Sequence, residues 1–391
     1  MYVRTDALLT TAGLVAAMAV GAVLVTTTST AIHAAAVPSV GASFPQGNFT
    51  ALDMLQSFDW AWLKRDPTHA LNCAEIDGSG WLDWFVGDHY NATTDPDLRA
   101  FIEFNAWKNS LVIPSVIEAN LPHFMVSWYR NYILGTLLYM VVGALWCVGI
   151  YGFFRACSFA PDQTLPTFGA MYEQVKVAQN AMFLYTWLPT WAEWLVERGY
   201  TQAYEHIDTV GLPAYLCWFV VYMVCVEAGV YWMHRLLHDI KPLYKHLHAI
   251  HHKYNKNNTL SPFASLAFHP VDGCLQALPY VLMMFVVPMH FLTHEILLFF
   301  TAIWSTSIHD TIQLESEPIM GAGYHEIHHT DYKHNYGQFT ILFDWIFGTL
   351  LTPPGSKWAA WDSTGGESRG AGRTKWDKDR PDLEGLKEKT L

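Results

Sequence analysis

The sequence predicts an all-α membrane protein with about four core transmembrane helices, two of them paired as a hairpin, capped by a cytosolic helical region rich in histidine. Three observations lead there. Of 391 residues, 51% are hydrophobic and only 15% are charged, whereas a soluble domain carries about 25% charged residues; much of this surface therefore faces something other than water. Apolar runs of spanning length alternate with polar stretches. Histidines crowd into one part of the chain.

Leu8 to Thr27 form an apolar stretch behind Arg4, readable as a signal anchor or targeting segment over residues 1–27, with Ala34 to Ala36 permitting cleavage. Residues 28–130 are polar and carry no motif that assigns them a role; Asn48 and Asn91 begin glycosylation sequons that matter only on a lumenal segment. The first clear span is Asn131 to Phe154, long enough for a hydrocarbon core of about 30 Å. Ala178 to Leu195 is a second candidate, kinked or interfacial because it contains Pro189 and many tryptophans. Its Tyr185, Trp187, Trp191 and Trp194 read as an interfacial belt. A third span, Leu212 to Met233, is interrupted only by Glu227. Leu275 to Ile312 then offers room for two helices of about 19 residues each, joined as a hairpin. Residues 131–355 form the core domain on this reading, and 356–391 a charged cytosolic tail.

The hairpin returns the chain to the side it left, so the histidine-rich segments before and after it share one membrane face. Arg235, Lys241, Lys245, Lys253 and Lys256 outweigh Asp239 and Asp272 there, which marks that face as cytosolic. Lys387 and Lys389 look like a dilysine endoplasmic-reticulum retrieval signal, although a frayed charged terminus would read the same. A net charge of −12 argues against nucleic acid as a partner. The six cysteines form no C-x-x-C pair and read as small apolar fillers facing a reducing compartment.

Of 19 histidines, five precede residue 230 and fourteen fall between His234 and His334. Three groups have helix-facing spacing: His234 and His238 as H-x-x-x-H, then His248, His251 and His252, and later His325, His328 and His329, both as H-x-x-H-H. Residues three and four apart share a helix face, so each group is expected to aim its imidazoles at one centre. A single histidine at a helix end is ordinary; eight in three matched groups are costly without a cation. One tetrahedral zinc would use three or four of them. Two ions with about four imidazoles each use the set, and imidazole sites with open positions suit redox-active iron. A pair of non-haem iron ions is therefore the expected cofactor, placed where a lipid can slide in from the bilayer.

The order H-x-x-x-H, H-x-x-H-H, hairpin, H-x-x-H-H resembles the fatty acid hydroxylase and sterol desaturase superfamily. Ser261-Pro262-Phe263-Ala264-Ser265-Leu266-Ala267-Phe268-His269-Pro270-Val271-Asp272-Gly273, Ser307-Ile308-His309-Asp310 and Asn335-Tyr336-Gly337-Gln338 narrow the resemblance to the C-5 sterol desaturases, over roughly residues 130 to 355. That resemblance implies a multi-pass endoplasmic-reticulum enzyme with its metal site facing the cytosol. Such an enzyme introduces the C5–C6 double bond into a Δ7-sterol, using O₂ and electrons from cytochrome b5 and its reductase. It also implies metal ligation by His234, His238, His248, His251, His252, His325, His328 and His329, with His309 as a ninth ligand. His269 is a less certain member, readable instead as a partner orienting a ligand, and His246, His290, His294 and His334 match no box. Asn335 to Gln338 either shape the mouth of the site or end a helix. Lys241 to Lys256 offer a basic dock for acidic cytochrome b5, or merely the usual positive-inside bias. A sterol C-4 methyl oxidase or another lipid hydroxylase shares the boxes but lacks the S-P-F-A-S and I-H-D strings. A metal transporter or sensor would instead line a pore with histidines.

Overall fold

A segment in lipid must satisfy its own backbone hydrogen bonds, so apolar runs of this length fold as helices. The computed structural model of the chain describes residues 96–159, 163–255, 259–312, 317–353 and 356–363. The expected anchor at 1–27, both sequons, Lys256 and the dilysine tail lie outside the described residues. Among the described residues, eight helices of ten residues or more carry the fold: α1 (Pro96–Val112), α2 (His123–Trp146, extended by a π-helical stretch Cys147–Phe153), α3 (Phe168–Tyr185), α4 (Trp187–Glu197), α5 (Leu212–Asp239), α6 (Pro270–Met283), α7 (Phe291–Ile308) and α8 (Ala322–Asp331).

Among the described residues, three helical stretches are long and apolar enough to cross a membrane: His123–Phe153, Leu212–Asp239 and Phe291–Ile308. Each keeps apolar side chains on an outer face, as Leu137, Val141 and Leu145 do on α2, and Leu216, Val220 and Val224 on α5. The spacing of four puts each set on one stripe, suited to lipid. Three expectations about the spans change. Ala178 to Leu195 is not one span: the helix breaks at Thr186, whose hydroxyl hydrogen-bonds back to the Met182 carbonyl, and α4 restarts at Trp187. The first hairpin arm, α6, has 14 residues and thus a length of about 21 Å, short of a bilayer core. Its turn is closed by a two-residue parallel pairing of Ala203–Tyr204 with Met289–His290.

The first span also starts earlier than expected, at His123, and the polar stretch before it is not independent of the bundle. Leu98 and Phe101 of α1 are buried in the same core cluster as Tyr222, Val226 and Val230 of α5, Tyr280 of α6 and Phe291 of α7. Helices α5 and α6 approach closely at Gly229: a Cβ there would sit 2.7 Å from the Pro279 ring, so only glycine permits this packing.

Helix length positions the site. At 28 residues, α5 is about 42 Å long, roughly 12 Å more than the hydrocarbon core needs. The excess turns at its C-terminal end hold His234 and His238.

Candidate metal centre

Four segments converge at that end. His234 and His238 lie one turn apart on α5. After a one-turn helix, Lys241–His246, the chain tightens into a 3-10 helix, His248–Lys253. His309 terminates α7 with a non-helical ψ of 56°. His325, His328 and His329 come from α8.

Nine histidines gather into two groups, each with its ligating atoms within 4.8 Å of one another: His234, His238, His248, His252 and His328 in one, and His251, His309, His325 and His329 in the other. All are buried except His238, which is partly so. The nine are the eight box histidines and His309. The boxes are not divided as expected, however. Each H-x-x-H-H box serves both groups: His248 and His252 go to the first and His251 to the second, while His328 goes to the first and His325 and His329 to the second. Adjacent residues on a helix point about 100° apart, so a helix lying between two centres feeds both.

Outer hydrogen bonds decide which ring nitrogen faces inward. His234 Nδ1 meets the Tyr336 carbonyl at 3.1 Å, His328 Nδ1 the His334 carbonyl at 2.8 Å, His309 Nδ1 the Ser305 carbonyl at 2.6 Å, and His248 Nδ1 an Asp272 carboxylate oxygen at 2.7 Å. Carbonyls and carboxylates only accept, so these four Nδ1 atoms carry the proton and the four Nε2 atoms present bare lone pairs. His252 Nε2 sits 3.0 Å from His248 Nε2 and 3.1 Å from His328 Nε2. In the second group, His309 Nε2 is 3.1 Å from His251 Nε2 and 2.9 Å from His325 Nε2. In the first group the His248 and His328 nitrogens are both bare, so the one proton His252 Nε2 can carry serves only one of its two contacts and leaves the other lone pair against lone pair. A buried cation resolves that repulsion, and the donor set therefore fits a metal in each group.

Electrostatics agree. Burial, reinforced by neighbouring imidazoles, holds His251, His252, His325, His328 and His329 well below the usual histidine range and lowers His309 to about 4. Neutral imidazole is the form that ligates.

The remaining histidines stand apart. His269 caps α6, its Nδ1 accepting from Val271 N at 3.2 Å, and belongs to neither group. His334 pairs with Asp331, and His290 bonds the Glu205 carbonyl. Asn335, with a φ of 61°, ties Leu351 and Tyr324 together, and Asp344 accepts from Tyr336 N and Gly337 N at 2.8 Å each. The Asn335 to Gln338 turn thus anchors His234 through the Tyr336 carbonyl. Glu227, the lone charge of the third span, accepts from the Phe339 and Thr340 amides at 3.0 and 2.8 Å and fixes the same turn against α5.

A cavity of about 280 Å³ opens on the histidines, with His234, His251, His309 and His325 in its wall. Its middle is apolar, lined by residues such as Leu138, Val230, Leu266 and Phe299, and Tyr185 lies on it rather than only at an interface. At the opposite end lies a charged layer that patterning did not single out. Lys108 bridges Glu295 at 2.5 Å and Glu193 at 3.1 Å, Arg130 pairs with Glu193, and Asn131 bonds Thr190 at 3.1 Å. The available signal was a few isolated charges in otherwise apolar helices, which are rare unless paired.

Comparison with known proteins agrees with this architecture. Residues 219–349 match the fatty acid hydroxylase family. The Delta(7)-sterol-C5(6)-desaturase of Nicotiana tabacum is 50% identical over 260 residues, 66% of this chain and 96% of the tobacco protein. A putative Delta(7)-sterol-C5(6)-desaturase 2 of Arabidopsis thaliana is 50% identical over 253 residues, covering 64% of this chain and 90% of that protein. A Delta(7)-sterol 5(6)-desaturase of Aspergillus fumigatus is 34% identical over 249 residues, 61% of this chain and 69% of its own. No solved structure matches. Half of the residues aligned with the tobacco protein are identical across nearly its whole length, and the chain accordingly belongs to the sterol desaturase family.

Proposed function

We propose that this chain is a membrane oxidoreductase that introduces the C5–C6 double bond into a Δ7-sterol, with two iron ions held by its nine clustered histidines. The observation that carries the reading is a pair of buried groups of inward-facing Nε2 atoms, 2.9 to 3.1 Å apart at their closest contacts, in the wall of an apolar cavity. The relatives' names supply the sterol and the position of the bond.

When bound, the two irons would supply the oxidising power, drawn from O₂ and two electrons, that removes one hydrogen from C5 and one from C6, which is allylic to the C7–C8 double bond. His234, His238, His248, His252 and His328 would hold one ion, and His251, His309, His325 and His329 the other. Asp272 and the Tyr336, Ser305 and His334 carbonyls keep four of these rings in the ligating tautomer. The apolar lining of Leu138, Val230, Leu266 and Phe299 excludes water and holds the sterol nucleus against the histidine wall. Desaturation rather than hydroxylation depends on placing the second C–H bond as well as the first, and an error of about 1 Å can change rates a hundredfold.

Exposed Lys241, Lys245 and Lys253 on the histidine side offer a basic face to acidic cytochrome b5, which with its reductase would deliver the electrons. The same positive charge supports a cytosolic orientation of the histidines, and the resemblance to the sterol desaturases supports an endoplasmic-reticulum location. Reversing these lysines to glutamate is expected to slow electron delivery while iron stays bound; loss of iron would count against docking there.

The deciding experiment is expression in a host lacking sterol C-5 desaturation. The expected result is conversion of the accumulated Δ7-sterol to the 5,7-diene. An accumulated alcohol, or oxidation of a C-4 methyl group, would instead support a hydroxylase of the same superfamily.

A further inference from the structure

The charged layer neutralises itself, but one polar atom beside it does not. His294 is 1% exposed, lies in the cavity wall beside Glu295, and its Nε2 has no partner among the described residues. The tautomer of this ring can be derived. Tyr222 Oη lies 2.9 Å from the Tyr280 carbonyl and 2.8 Å from His294 Nδ1. A tyrosine hydroxyl has one hydrogen, and the carbonyl can only accept. Both contacts are hydrogen bonds only if the hydroxyl donates to the carbonyl and accepts from Nδ1–H. Nε2 is therefore the bare nitrogen: a buried acceptor, on a residue of the cavity wall, with no donor to meet it.

The sterol's own ring hydroxyl does not reach it. On the function proposed above, C5 lies against the histidine groups, and the 3-hydroxyl oxygen is three bonds away, about 4 Å at bond lengths near 1.5 Å. His294 and His309 both lie on the α7 segment and are fifteen residues apart, about 22 Å at 1.5 Å per residue. Ring A near the metals sends the alkyl side chain down the cavity toward His294. An extended sterol, roughly 15 Å from C5 to its tail tip at such bond lengths, brings that tip to this end and no further.

We infer that the deep end of the cavity is a hydroxyl-recognition site centred on His294 Nε2, suited to sterols bearing a hydroxyl near the end of the side chain. A plain alkyl tail leaves the nitrogen without a donor. A terminal hydroxyl donates to it and also meets the polar layer of Lys108, Asn131 and Glu295. This inference rests on the proposed sterol substrate, and it predicts that tail-hydroxylated Δ7-sterols occupy the same cavity more tightly than their parents.

The test is equilibrium displacement of a labelled Δ7-sterol from the purified, iron-loaded full chain by the unlabelled sterol and by its 25-hydroxy derivative. The hydroxylated sterol should displace at about five- to tenfold lower concentration, the worth of one buried hydrogen bond. His294→Leu should reduce that ratio to about one, and Tyr222→Phe, which frees the tautomer, should reduce it part of the way. Affinity for the unmodified sterol and iron content report whether each variant is folded; if His294→Leu fails that control, the Tyr222→Phe ratio decides. Equal affinities in the wild type, or a preference that survives in the folded variants, would overturn the site. Oxidation of the side chain by the wild type would overturn the orientation. Displacement needs no turnover, so absence of 5,7-diene with the preference intact would sink the desaturase reading and leave this site standing.

Discussion

The cavity has a polar cluster at each end, and the two solve the cost of burial in opposite ways. At one end nine histidines of one chemical type face inward with their acceptor nitrogens crowded together. At the other, Lys108 and Arg130 face Glu193 and Glu295, and charge closes on itself. A buried set of like groups is incomplete and demands a cation from outside, whereas a buried set of opposite charges is complete and holds helices together. Clustering alone therefore does not identify a site. What identifies it is whether the cluster can satisfy itself.

Removing a member should break the first cluster functionally and the second structurally. His325→Ala, taken from the second histidine group, is expected to cost more than about a hundredfold in turnover, beyond the range for an outer-shell partner, with iron per chain falling and the fold retained. Full iron with normal product would remove His325 from the ligand set. Arg130→Met is the counterpart. Arg130 is 1% exposed and its loss leaves Glu193, for a cation, only the Lys108 that it shares with Glu295, so destabilisation of about 3–5 kcal/mol is expected in thermal unfolding. The double variant Arg130→Met with Glu193→Gln should recover part of that loss, and a failure to recover would mean that the layer is not a self-neutralising unit.

Asp272→Asn sharpens the comparison from outside the histidine wall. It keeps the shape but takes a charge from the 2.7 Å contact that fixes His248, and iron affinity should drop about 10- to 100-fold. Chelator competition measures it, and an unchanged affinity would show that the tautomer is set otherwise.

The smallest effect is in pH. His251, His252, His309, His325, His328 and His329 are held below the ordinary value of 6.5 by burial and by one another. Unfolded, they take protons near pH 6.5 that the folded chain refuses, so the unfolded state binds more protons and stability falls as pH drops through that value. The metal-free chain should lose more than about 5 °C of unfolding midpoint between pH 7.5 and 5.5. A flat profile would mean that the rings are hydrated.

Much of this was legible in the linear order of residues. Apolar run length predicts α2, α5 and α7 because a helix must satisfy its own backbone in lipid, and the spacing of His234 and His238 predicts a shared face because the helix repeats every 3.6 residues. The strings around Phe263, His309 and Gly337 pointed to a family that the relatives support. Two features were not legible. Which histidine joins which group depends on where each short helix lies between two centres, so neighbours such as His251 and His252 separate. The link of Lys108 to Glu295 spans 187 residues and joins α1, which reads as an unassigned polar segment, to the core. Local periodicity reports what a residue's own helix does with it. Partners contributed by distant segments exist only once the chain has packed, and here that packing decides which buried polar groups are already satisfied and which still need a ligand.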